Sequence, residues 1–371
     1  MDENTEKKSG TNLAPILSAI TAFLCSLLAS YLFSTVWIIA GIIPLMIAVS
    51  EYSKLIITRQ YALSIIVGPV AIICMAVIQI FAKAGAYPVV MAGSFIVAAA
   101  FLAVAAEHNF GRLTTNIVIA VIYGAFFLIA GLIVYTGLGY ELTIESFKEF
   151  FSNISNQVQT TIKDVATNFI KNSIYATSID ADQYGQELAE SLIFSIKATF
   201  AVVFVAILEF MGHCTTGIYI FTAKRTGYEI IVPLGGWMID MSHISAIVYF
   251  IAEASFAVFY MLEIFGVAVD VPYIVMMNFV IILMPNMIFV AFQRMFRKRP
   301  EQTRQRRFPF IFFFVLLFFA PFFLLLSLAT VGAMQIYGEY RAKKLEELKN
   351  NDDDHFDDFN NDDNNGNDDF Q

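Results

Sequence analysis

The sequence predicts an all-α, polytopic transmembrane helical bundle of about nine spans, with an extracytoplasmic helical hairpin and a disordered acidic C-terminal tail. Three observations predict it. Residues 9–50, 60–82, 84–106, 113–140, 271–293 and 308–338 contain no Asp, Glu, Lys or Arg. About 20 helical residues cross a hydrocarbon core of roughly 30 Å, so several of these runs are long enough to span it. The composition agrees: 58% of the 371 residues are hydrophobic, with a mean hydropathy of +0.66, well above a soluble domain. Finally, one polar block, residues 141–190, interrupts the apolar runs and carries helical periodicity of its own.

Taken in order, residues 1–11 form a charged cytoplasmic N-terminus whose Lys7 and Lys8 precede the first apolar run. That run has no clear small-residue cleavage site and is read as a retained span. Because 9–50 is too long for one crossing, a break near Ser34 gives helices at about 12–33 and 35–50, the second containing Pro44. The third to fifth spans lie near 60–82, 88–106 and 114–139, completing a block over 12–139.

Residues 140–190 form the hairpin. Residues 141–190 hold eight acidic residues against three lysines. Ile144, Phe147, Phe151, Ile154, Val158, Ile162, Val165 and Phe169 recur every three or four residues, one stripe on a long helix. The stripe predicts a helix folded back on the membrane core, with a coiled-coil contact to another protein as the alternative. Ser178–Gly185 makes the turn.

Residues 191–338 hold spans six to nine. The sixth lies within Glu187–Ala223, the seventh near 243–265, the eighth near 272–293 and the ninth within 308–338. Pro233, Gly235 and Gly236 predict an interfacial turn that sets Trp237 at headgroup depth as an anchor. Residues 294–307 carry seven Lys or Arg and one Glu. The ninth segment is about 46 Å long if helical, with Pro321 near its middle. It reads as one kinked helix or as a re-entrant hairpin.

Loop charge predicts orientation. With the N-terminus cytoplasmic, segments 1–11, 51–59, 107–112, 224–229 and 294–307 hold fourteen Lys or Arg and face inside. Segments 83–87, 141–190 and 266–271 hold four and face outside. The basic residues Arg341, Lys343 and Lys344 compete with this count, since nine crossings would put them outside. Residues 339–371 run from basic to low-complexity Asp/Asn. The last 21 residues carry nine Asp, which accounts for the whole net charge of −9 and excludes an acidic binding surface elsewhere.

No Walker A, GxGxxG, HExxH or CxxC motif is present, so no cofactor, nucleotide or metal is expected, nor any contact with nucleic acid. Cys25, Cys74 and Cys214 sit singly in apolar stretches as small hydrophobes. No catalytic residue is assigned, and an enzyme is the third choice. Ionisable and amide groups at membrane depth mark the ligand-binding candidates, because they cost about 2.5–3.5 kcal/mol each in lipid. Glu209 and His213 lie four apart on one face of the sixth span. Glu253, with Glu263, lies in the seventh, and Asn278 and Asn286 in the eighth. Gln79 and Lys83 close the third. Each also has a plain structural role open to it, as interhelical glue or as a snorkelling side chain.

Five spans and a polar hairpin lead to a helix ending at Lys224–Arg225. Then come Pro233 and Trp237, Asn278 opening the next span, and a close of Gly332 and Tyr337–Arg341. This layout, over most of residues 12–345, resembles an uncharacterised bacterial membrane family typified by YybS. Pro285-Asn286 stand where the family tends to Gln-Gly, and Gln335 where it tends to Asp.

The first six spans are also similar to the substrate-binding membrane subunits of energy-coupling-factor vitamin importers, which capture a ligand from outside and depend on separate ATPase and scaffold subunits. These resemblances imply a bacterial plasma-membrane protein of transporter-like build. It would bind a small solute and work with ATPase or scaffold partners in the lipid bilayer. The alternative is an interaction protein for envelope proteins, acting in assembly or signalling through its hairpin.

Overall fold

Among the described residues every regular element is an α-helix. A computed structural model describes residues 13–35, 37–172, 180–225, 239, 241–267, 269–295 and 321–361. Eight helices in them are long and apolar enough to cross a membrane. The chain is an integral, multi-pass membrane protein with an all-α, polytopic bundle.

The chain packs as two compact units, residues 1–240 and 241–371. In the first, α1 (Leu13–Phe33), α2 (Ile38–Ile57), α3 (Tyr61–Ala82), α4 (Tyr87–Glu107) and α5 (Arg112–Gly137) follow one another through short loops. Each packs on the next, so consecutive helices run antiparallel. Loop chemistry ends them sharply: Lys83 takes a left-handed φ of 53° after α3, and Gly139 a φ of 88° after α5.

Packing is inside-out relative to a soluble protein. The buried stripe of α1 is small: Ala19, Ala22, Ser26, Ala29 and Ser30 recur at helical spacing against α2. Its bulky residues, such as Leu17 and Leu24, point outward, as do Ile73 and Phe81 on α3. Lipid solvates large aliphatic side chains, so close helix approach is left to Ala, Ser and Gly.

α6 (Ile144–Lys171) is capped by the Thr143 hydroxyl, which accepts from the Ser146 amide at 3.2 Å. α7 (Ala181–Arg225) starts on Asp180, whose carboxylate accepts from the Asp182 and Gln183 amides. α6 packs back along the first half of α7, closed near its tip by Lys171–Asp182 at 3.1 Å. A Cβ at Gly185 would collide with the Thr167 hydroxyl, so the helices meet through small side chains.

That contact corrects the stripe. The face α6 buries is Ser155, Ala166, Thr167 and Ile170, whereas Phe151, Val165 and Phe169 are exposed. Bulky residues cannot enter so close a contact and lie beside it. α7 is also a single 45-residue helix, so the boundary drawn at residue 190 falls inside it.

In the second unit α8 (His243–Ile264), α9 (Asp270–Met295) and α10 (Pro321–Asn361) pack pairwise. Gly332 of α10 lies against the backbone of Met287, with no room for a Cβ. Ala329, Ala333 and Ile336 continue that buried stripe. His243 stacks on Tyr340 with ring centroids 3.8 Å apart, and Arg294 pairs with Glu339 at 2.6 Å.

Two further boundaries differ from expectation. α2 does not stop near residue 50 but runs to Ile57, carrying Glu51 and Lys54 into the core. α10 continues through Asn361, where composition predicted disorder. A helix already nucleated by the apolar turns after Pro321 needs only one bond per added residue, which carries weak helix formers along. The turn holding Trp237, most of the Arg-rich loop, residues 308–320 of the ninth segment and residues 362–371 lie outside the described residues.

Replacing Gly332 with Leu is expected to force α9 and α10 apart and to destabilise the detergent-purified protein by at least about 1–3 kcal/mol. Thermal unfolding against Gly338→Leu, at a position with open space, measures it.

Candidate functional site

The alternation of helices puts the starts of α1, α3 and α5 at one end of the first unit, with the ends of α2 and α4. α7 joins them: Leu208 meets Gly124 and His213 meets Asn116, so it runs antiparallel to α5. Toward this end the core turns polar.

In α2, Lys54 Nζ lies 2.6 Å from Glu51 Oε1, and the two side chains are one helical turn apart. Ser18 of α1 donates to Glu51 Oε2 at 2.8 Å. Lys54 is 1% exposed and Glu51 8%. Each charge therefore has its counter-charge within the protein, and one carboxylate oxygen has a neutral donor besides. Ser50, one turn before Lys54, is fully buried, and its hydroxyl has no hydrogen-bond partner among the described residues. A buried hydroxyl without a partner is costly, so this one, a turn from an ion pair, carries an unmet hydrogen bond.

Between α5 and α7 lies a second polar group. Asn116 Nδ2 donates to His213 Nδ1 at 2.6 Å, and Thr216 Oγ1 donates to Asn116 Oδ1 at 2.7 Å. This bond ties the imidazole of α7 directly to the amide of α5. Gly212 makes the geometry possible: its Cα sits against the Asn116 backbone, where a Cβ would collide. A turn away Tyr123 and Thr215 share a 3.0 Å hydroxyl bond. Asn116, Tyr123, His213, Thr215 and Thr216 are all fully buried. Arg112, 8% exposed, lies at the start of α5, one turn from Asn116 and close to Gly217. At the other end of the unit, Gln79 of α3 donates to the Ser30 carbonyl and hydroxyl of α1 at 2.9 and 3.0 Å.

The candidates named from the sequence divide between the two units. His213 is central to the α5–α7 group, bonded to Asn116. Glu209, one turn away, is half-buried. Glu253, Asn278 and Asn286 belong to the second unit. There Glu253 accepts from Thr330 of α10 at 2.6 Å, Asn286 is buried beside Pro285, and Asn278 is half-buried. Glu263 and Lys83 are exposed at helix ends, as snorkelling groups would be. The Trp237 anchor lies outside the described residues.

Sequence reasoning missed Ser18, Glu51, Lys54, Arg112 and Asn116. By charge alone the charged members mark loops that bound spans. An opposite-charge pair at i and i+3, flanked by Ser50 and Ser53 and followed by Leu55-Ile56-Ile57, was the available signal of a helix continuing with its charges inward.

Asn116→Leu removes the interhelical bonds to His213 Nδ1 and to the Thr216 hydroxyl, which keeps only the His213 carbonyl of its own helix at 3.0 Å. A loss of about 1–3 kcal/mol is expected in chemical unfolding of the purified protein. Thr136→Val, at an exposed hydroxyl bonded only to its own helix, is expected to change stability by less than about 0.5 kcal/mol. No protein-family model, curated protein or solved structure matches this chain.

Proposed function

We propose that the chain is a solute-binding membrane subunit of a transporter-like system, without an ATPase of its own. It would sit in a bacterial plasma membrane with its N-terminus in the cytoplasm and work with a separate ATPase or scaffold subunit. The observation that carries this reading is the Glu51–Lys54 pair buried against Ser18 within membrane-spanning helices. Ionisable groups at such depth are held where a cavity, pathway or substrate uses them. A compact pair of opposite charges, with the unpartnered Ser50 hydroxyl one turn away, suits a small polar or zwitterionic solute. Such a solute would exchange its own charges for those the pair now makes to itself. The His213–Asn116 bond offers a second exchangeable contact at the same end of the unit. The likeness in layout to the family typified by YybS, and through it to importer substrate-binding subunits, supports the same reading.

The charge-free variant Glu51→Gln/Lys54→Met keeps the shape of the pair and removes its charge. Thermal unfolding of the purified protein against a panel of amino acids, polyamines and water-soluble vitamins tests the proposal. A compound that raises the melting temperature of the parent and not of the variant is the expected result; stabilisation of both alike would overturn the site. Affinity purification from native membranes is expected to recover an ATPase or scaffold subunit.

A second reading, an assembly or signalling role through the hairpin, is favoured by the exposure of Val165 (65%) and Phe169 (71%) near its tip. Crosslinks from Val165 to envelope proteins, with no ATPase recovered, would favour it over the first.

A further inference from the structure

The base of the hairpin holds a groove that neither helix fills. It lies between α6 and α7, has a volume of about 860 Å³, and is walled by side chains such as Phe147, Phe151, Val158, Ile196 and Phe200. This is within the ~300–1,000 Å³ range of small-molecule sites. The displaced stripe of α6 explains its origin: small residues make the helix contact, and the bulky ones flank an open trough.

Three features say what fills it. Among the described residues, the charged side chains that line the groove are both cations, Lys148 on α6 and Lys197 on α7. Lys197 is the last charge before the uncharged run 198–208 of α7. Nearby, on α5, α6 and the loop between them, Tyr135 stacks on Tyr140 and Phe147, with ring centroids 5.2 and 4.3 Å apart, and Phe150 packs edge-on to both tyrosines. An aromatic belt of this kind marks a membrane–water interface. Finally, Ser155 is 8% exposed, lines the groove, and its hydroxyl has no hydrogen-bond partner among the described residues. The trough is thus apolar along its length, cationic on both walls, supplied with a spare hydroxyl, and continuous with the outward apolar surface at Phe200, 61% exposed.

We propose that this groove binds an anionic phospholipid of the bilayer, with an acyl chain along Phe151 and Val158 and the phosphate between Lys148 and Lys197. The site is independent of the solute reading, since it uses no residue of the polar layer between α1, α2, α5 and α7. Because the groove follows α6 away from the end of α5, it holds the chain along the hairpin stem rather than among the spans. Each lysine contributes about fivefold to the preference for an anionic over a zwitterionic headgroup.

The test uses the full-length protein in nanodiscs, with native Trp37 and Trp237 replaced by Phe and a reporter introduced as Val158→Trp. Brominated-chain phosphatidylglycerol and brominated-chain phosphatidylcholine are compared at equal mole fraction. Strong quenching by the first and weak quenching by the second, equalised by Lys148→Gln/Lys197→Gln, is the expected result. Equal quenching by the two lipids in the parent, or none by either, would overturn the proposal. So would crosslinks from position 158 to another membrane protein. Should the reporter variant not fold, native mass spectrometry of the otherwise unaltered protein decides. Retention of phosphatidylglycerol through detergent exchange, reduced at least tenfold by the two Lys→Gln changes, supports the site; equal retention overturns it.

Discussion

Hydrocarbon offers no hydrogen bonds, so every polar group carried into the bilayer must find its partner within the protein. The first unit is organised around that constraint. The backbone meets it with helices. The side chains meet it in groups that join one helix to another: Ser18 to Glu51, Ser30 to Gln79, Tyr123 to Thr215, and Asn116 to His213 and Thr216. Of these the Glu51–Lys54 pair is the one with most at stake. A lone buried charge is far more expensive than a lone amide or hydroxyl, so α2 can enter the core only with both charges present.

Close approach is the companion requirement. Partners on different helices meet only where backbones come near, and the sequence supplies small residues at those points. Gly212 sits beside His213 and lets α7 touch the backbone of Asn116. Gly332 does the same between α10 and α9, and Gly185 between α7 and α6. The hairpin shows the other side of the rule. Where small residues make the contact, bulky ones are set aside, and the result is an open trough in place of a sealed seam.

The bundle itself was legible in the sequence because it rests on length and hydropathy, which need no tertiary knowledge. The break near Ser34 and the close of the third span at Lys83 fell where loop chemistry put them. Other features depended on information that periodicity does not hold. The stripe from Ile144 to Phe169 gave the right element and the wrong buried face, since lipid and open grooves accept apolar residues as readily as a core does. Read by charge alone, Glu51 and Lys54 mark the edge of a span, because a charge usually does; only the pairing across one turn reverses that. His213 was legible as a polar residue in a span. Its partner Asn116, alone in an uncharged run, was not, because a contact between residues 97 apart is written in the fold. The helix past Lys344 follows from propagation out of an ordered stem, which composition counts cannot register.

A double-mutant cycle on the two charges measures the central claim most directly. Unfolding free energies of the parent, Glu51→Gln, Lys54→Met and the double variant give the coupling between them. If the pair lets α2 enter the core, each single change costs about 3–5 kcal/mol and the double variant recovers most of that loss. Single changes that cost under about 1 kcal/mol and simply add in the double variant, as exposed pairs do, would contradict it.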